Sequence, residues 1–436
     1  MEERLPPELL IHIFSFLTTP PEHASDSDTS IDKTALRSCL LVCRRWHEVA
    51  LKPMYEDISL SLVYLSHRAT STDYWFIVLR RSQPTLLHRV PSDFAAFLAE
   101  KPYLAKYIRS LTLRCGRYSI SKDRPAAVIR LPTFLDIITC LPNLESLTLR
   151  GIALDEAASP LPAWTPMPLK HLTIDWVVPV QHRDDAGYAL DDGVATSALL
   201  RRFTVADTLA LEHYAGGALD AACAGAARTL RRLVLRDSRT PPELPARLFA
   251  GAPAAPRALH LAEDAQSPLR DAPQALLNEL GTTLVGFGWQ LLLCAPTRRA
   301  RSPRGWDARL DISVAPHLEA LALDVVADSE SAVVGALAAL FRRAAPECTR
   351  LRTVALAVEF VPLAPPDYRA AAPPAASGAL EDALLALRRN TGGTLLDVTL
   401  ASREAGRRRV WEHAQAEKLL REWFPRLVEC GMCSLL

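Results

Sequence analysis

No uncharged apolar run of about 18 residues occurs in the 436-residue chain, so no segment reads as a membrane-crossing helix. An excess of charge is also lacking. Fifty Lys and Arg stand against 49 Asp and Glu, for a formal net charge of +1. That balance argues against a chain built mainly to coat nucleic acid or an anionic membrane, although a local basic patch remains compatible with it. The opening residues MEERLPPELL have acids where an export signal needs basic charge and Pro where it needs an apolar core. A cytoplasmic and/or nuclear location is therefore expected, with the nine cysteines as reduced thiols.

Catalytic signatures are missing as well. There is no GxxxxGK[ST], no GxGxxG after a strand, no GxSxG and no HExxH. Cys430 and Cys433 form a lone CxxC without the second ligand pair that a zinc site needs. No histidine clusters with acids at ligand or triad spacing. The expectation is a binding protein with no cofactor and no metal, not an enzyme.

What is present is an ordinary globular composition, 49% hydrophobic and 23% charged. The length suits two or three units or one repeat array. Pro6 to Leu17 reads as a helix apolar on nearly all sides, which must bury more than one face. A polar stretch, PPEHASDSDTSIDK, follows as a loop. A second helix is expected from about Thr34 to Ala50, with Cys39 and Cys43 as small core residues on one face.

Beyond Glu56 a short phrase recurs: apolar, two variable residues, apolar, one variable, apolar. It starts at Ile108, Leu144, Leu169, Leu200, Leu230, Pro256, Leu284, Leu318, Leu351 and Leu395. The alternation inside each phrase is that of a half-buried strand, and PTFLDIITCL, SAVVGALAALFRRA and LEDALLALRRN between phrases read as helices. A strand plus helix repeating about every 32 residues is the pattern of a solenoid. A helix from about Trp411 to Phe424, ending near Pro425, would cap the last unit. The Pro- and Ala-rich stretch from Pro362 to Ser377 reads as a loop, and Arg298 to Arg301 and Arg407 to Arg409 as solvated basic runs.

The first zone resembles the F-box, the module that joins substrate receptors to SCF-type ubiquitin ligases through the Skp adaptor. The resemblance rests on Leu5-Pro6, Glu8-Leu9-Leu10, Ile13-Phe14, Leu17 and Val42-Cys43-Arg44-Arg45-Trp46, and YEDISLSL resembles the strand that follows in many fungal members. It implies an α/β fold: a helical F-box over residues 1–55, with a polar insert at about 18–33, then a leucine-rich-repeat-like α/β solenoid over 56–436. Parallel strands, outer helices and a C-terminal helical cap would make up the solenoid. It also implies a substrate receptor that binds the Skp adaptor, and through it a cullin, by Leu5, Pro6, Leu9, Ile13 and Trp46. The alternative is an F-box scaffold acting outside ubiquitination. In one respect the repeats depart from the pattern. Ile152 and Val177 stand where a leucine-rich repeat places Asn or Cys, so the turns must be closed in another way.

In a solenoid strand the third, fifth and seventh residues of each phrase would face the concave side. The earlier strands then present Arg114, Arg150, Arg202, Arg232 and Arg236, and the later ones mainly Ala and Gly. This is either a basic surface for an unknown target protein carrying an acidic or phosphorylated segment, or a solvated face whose arginines pair with loop acids.

Overall fold

A computed structural model of the chain describes residues 9–10, 13–14, 34–64, 75–79, 91–115, 127–155, 165–175, 177–179, 197, 199–212, 230–236, 256–263, 272–292, 310–327, 330–360, 377–391, 397–404, 421–431 and 433–435. The polar insert, the Pro-rich stretch to residue 376 and both basic runs lie outside them. Contacts divide the chain into two compact units, Met1–Thr204 and Val205–Leu436.

The first unit opens with helices. Leu9, Leu10, Ile13 and Phe14 are helical, and two further helices span Thr34–Leu40 and Arg44–Tyr55. The single helix expected from Thr34 to Ala50 is therefore broken at residues 41–43. Cys43 is extended (φ −163°, ψ 167°), and the amides of Leu41 and Val42 close a turn onto Ser38 and Cys39. The turn lets the two helices pack on each other. It buries Cys39 and leaves Cys43 exposed, so Cys43 is not a core residue. Burial pushes the Cys39 thiol pKa upward.

Strands β1 (Asp57–Tyr64), β2 (Trp75–Leu79) and β3 (Ser110–Cys115) follow, then β4 (Ala127–Arg130), β5 (Ser146–Arg150), β6 (Ile152–Asp155), β7 (Met167–Asp175) and β8 (Val178–Pro179). β1 pairs antiparallel with β2 and parallel with β3; β3, β5 and β7 continue the parallel ladder. Leu111, Leu147 and Leu172 stand in one register row and are fully buried. The helix Leu131–Thr139, which follows β4 and packs on the helix Pro91–Glu100, buries Leu131, Phe134, Leu135, Ile137 and Ile138. Between β5 and β6 the chain turns at Gly151 (φ +63°), a conformation that favours glycine, and the Gly151 amide donates to the Asp175 carbonyl. β4, β6 and β8 form a small second parallel sheet.

The second unit is a parallel ladder in chain order. It comprises β9 (Phe203–Glu212, which begins just before the boundary), β10 (Arg232–Arg236), β11 (Ala258–Glu263), β12 (Gly286–Leu292), β13 (Ala320–Ala327), β14 (Thr353–Phe360), β15 (Asp397–Glu404) and β16 (Cys433–Leu435). Leu209, Leu233, Leu259, Phe287, Leu321 and Val354 make one buried register row. Helices Ala272–Leu280, Glu330–Ala344 and Ser377–Asn390 alternate with the strands, and the last two pack together.

One phrase is out of place. The residue of β9 that faces Arg232 is Thr208, not Arg202, so the pairing segment is ADTLAL from Ala206 and not LRRFTV from Leu200. The C-terminus also differs from expectation. Residues 421–423 are helical, but Pro425 does not simply end a helix. It opens a second one, Pro425–Glu429, where its missing N–H costs nothing. Residues 411–420 lie outside the described set. The carboxylate of buried Glu381 accepts the amides of Arg426 (2.6 Å) and Leu427 (3.0 Å), tying this end to the 377–390 helix.

Ile152 and Val177 are buried apolar residues. Turns are closed instead by scattered side chains reaching neighbouring loops. Asn143 donates to the Lys106 carbonyl (2.7 Å), Asn390 to that of Ala345 (2.9 Å), and Gln274 exchanges two hydrogen bonds with the Asp311 backbone.

Candidate functional site

The four described residues of the N-terminal helical segment divide between two sides. Leu10 and Phe14, one turn apart, are buried with Leu36, Cys39 and Ala50. Leu9 and Ile13, also one turn apart, remain 48% and 43% exposed. Trp46 is half-buried and meets Phe14 edge-on, with ring centroids 5.5 Å apart and planes at 70°. Of the five residues expected to contact the adaptor, the structure thus turns Leu9 and Ile13 outward and packs Trp46 partly on the core. Leu5 and Pro6 lie outside the described residues. Two further apolar side chains of this segment, not among those five, are exposed as well. Leu41 is 87% exposed and Val42 60%, at the break between the helices. Their signal is the pair of apolar residues directly preceding Cys43-Arg44-Arg45, which a continuous helix had hidden.

The arginines chosen from alternation fall into distinct settings. Arg114, Arg150 and Asp175 share one register row of the first unit. Asp175 is only 1% exposed and pairs with the Arg150 guanidinium. Arg202 precedes β9 in a turn, and its carbonyl accepts the Met167 amide at 2.9 Å. In the second unit Arg236 pairs with Glu212 at 3.4 Å, while Arg232 is exposed. His260, half-buried and lying against Gly288, has its pKa lowered to about 4, first by desolvation and then by the charges of Arg232 and Arg236.

A second line of side chains runs along the strand starts, at the second position of each phrase. In the first unit it reads Glu56, Arg109, Glu145, Lys170. Arg109 bridges Glu56 (3.6 Å) and Glu145 (3.1 Å), and Lys170 closes on Glu145 (2.7 Å). The Lys170 hydrogen bond holds the Glu145 carboxyl below its usual pKa. In the second unit the same position reads Asp207, Arg231, Arg257, Val285, Glu319, Arg352. The alternation of sign is lost there, and Arg231 and Arg257 are both exposed. Only the third, fifth and seventh positions entered the sequence reading, so this line went unseen. Reading the second position down the phrases would have revealed it.

Residues 3–61 match the F-box-like family. The match covers the N-terminal helix, both following helices and the start of β1, the segment in which Leu9, Ile13, Leu41 and Val42 are exposed. None of the curated proteins compared with the chain matches it.

Proposed function

We infer from the F-box-like domain over residues 3–61 that this chain binds a Skp-type adaptor, the role that such a domain suggests. We propose that the protein is the substrate-recognition subunit of an SCF-type ubiquitin ligase, in the cytoplasm and/or nucleus. The F-box binds the Skp adaptor and, through it, a cullin. The α/β region is a leucine-rich-repeat-like solenoid of the kind found in fungal F-box proteins, and it holds the target protein. Its contribution is proximity: it raises the target's effective concentration at the ligase.

The observation that carries the adaptor reading is the divided helix. Leu10 and Phe14 anchor it to its own core, and Leu9 and Ile13 stay in water within the matched segment. Exposed apolar side chains on a small helical module are candidate hot spots for a partner. The test is co-purification of the tagged full chain from cells, probing for the adaptor, for cullin and for ubiquitin-dependent loss of a bound protein. Recovery of all three supports the receptor. Adaptor without cullin would make the protein a scaffold outside ubiquitination, and absence of the adaptor would end the F-box reading.

A further inference from the structure

Along the strand starts of the first unit every charge meets its opposite: Glu56, Arg109, Glu145 and Lys170 alternate and are joined by ion pairs. The second unit has the same backbone arrangement and a different charge order. The Arg257 amide donates to the Arg231 carbonyl at 2.9 Å, so the two arginines stand on neighbouring strands at the same level. Arg232 follows Arg231 directly, and all three are exposed. Val285, next along the line, offers no acid. Among the described residues no ion pair reaches Arg231, Arg232 or Arg257. Like charges facing each other on adjacent strands are unfavourable for folding. Asp207, on the other side of Arg231, is the one acid in this part of the line, so three exposed arginines outnumber it, and an external anion would relieve the repulsion between them.

We propose that Arg231, Arg232 and Arg257, at the amino ends of β10 and β11, form the docking surface for an acidic peptide segment of the target protein. The inference rests on the receptor reading and locates its target site, moving it away from Arg150, which Asp175 already neutralises. Strands about 4.8 Å apart place the guanidinium groups within reach of successive carboxylates or phosphates on an extended peptide. Beside Arg232, in its own register row, Ala258 and Gly286 carry almost no side chain and let a main chain approach. They also offer no aromatic platform for bases, which separates this surface from a single-stranded nucleic-acid groove.

The experiment uses the purified full chain and a fluorescent peptide of alternating Glu and Ser, with and without phosphate on the serines. Binding is read by anisotropy at rising salt. The wild type should bind at least one form, more weakly as salt screens the charges. Arg231→Glu with Arg257→Glu should weaken it by about tenfold or more, as expected for losing charge-assisted hydrogen bonds from two groups. Arg352→Glu, farther along the same line, should leave it unchanged. Should the double reversal lower the melting temperature, Arg231→Gln with Arg257→Gln carries the test. The two peptide forms separate a carboxylate-reading site from a phosphate-reading one. The proposal is overturned if neither peptide binds, if the variants bind like wild type, or if an oligonucleotide of equal charge binds at least as tightly. No adaptor is present in this assay. Failure here with intact adaptor co-purification would leave the F-box reading standing.

Discussion

The imidazole of His260 lies against the backbone of Gly288, its register partner on the next strand, in space that any Cβ at position 288 would need. Glycine here is a matter of close approach, not of backbone angle. Gly288→Ala should therefore destabilise the second unit by about 1–3 kcal/mol, the usual cost of overpacking. His260→Ala in the same chain should recover most of that loss. A double-mutant cycle in chemical denaturation measures the coupling, and additive effects would show that the ring does not fill this space.

His260 also sets a pH dependence. Its folded pKa of about 4 lies below the 6.5 of a free imidazole, through burial and the neighbouring Arg232 and Arg236. Between those values the unfolded chain takes up a proton that the folded chain refuses. The favourable state is complete above the unfolded value and is lost as pH falls from 6.5 toward 4. Relative to His260→Gln, the wild type should lose on the order of 1–2 kcal/mol across that window, once partial exposure is discounted. Parallel curves for the two proteins would refute the assignment.

In the F-box-like segment, exposure separates two kinds of substitution. Leu9→Asp or Ile13→Asp should abolish adaptor recovery with little change in melting temperature, because both side chains are in water in the free chain. Phe14→Ala should cost about 3–5 kcal/mol, because it removes a fully buried ring and the edge contact with Trp46. Trp46→Ala should fall below that range, since the indole is only half-buried. Limited proteolysis of the first unit alongside adaptor pull-down reads both effects.

The buried Glu381 carboxylate is the anchor of the C-terminal segment. Glu381→Ala leaves the Arg426 and Leu427 amides without their acceptor, at about 1–3 kcal/mol. The expected outcome is faster cleavage between residues 421 and 436, with loss of β16 and the ladder from β9 to β15 intact. Glu381→Gln keeps one acceptor oxygen and should restore part of the protection.

Much of the strand ladder was legible because alternation with three apolar positions marks both the strand and its buried face. Leu147, Leu233 and Leu321 stand where their phrases place them. Leu200 misled for a physical reason. Phe203, Val205, Leu209 and Leu211 share one parity on a single long strand, so a slip of six residues keeps every apolar side chain on the same face. Periodicity cannot detect an even slip; only the partner strand fixes it. The break at residues 41–43 escaped because helical spacing runs straight across a short turn. For the proposed adaptor surface, the sequence carried Leu9 and Ile13 in its motif, but which side of the helix faces water depends on tertiary packing. Charge order along the strand starts was readable in principle, since it needs only the second letter of each phrase.

Those strand starts share one backbone device. The Glu56 carbonyl accepts the amides of Arg109 and Ser110, that of Arg109 accepts Glu145 and Ser146, and Arg231, Arg257, Val285 and Glu319 each accept the next pair in the same way. A junction made only of main-chain atoms keeps no memory of which residues it joins. Whole phrase-to-phrase blocks can thus be duplicated or deleted in a gene without inventing a new kind of seam. What restrains such growth is the side chain riding on each seam: a copied Lys170 block would set lysine beside lysine, and a copied Val285 block would meet no such objection.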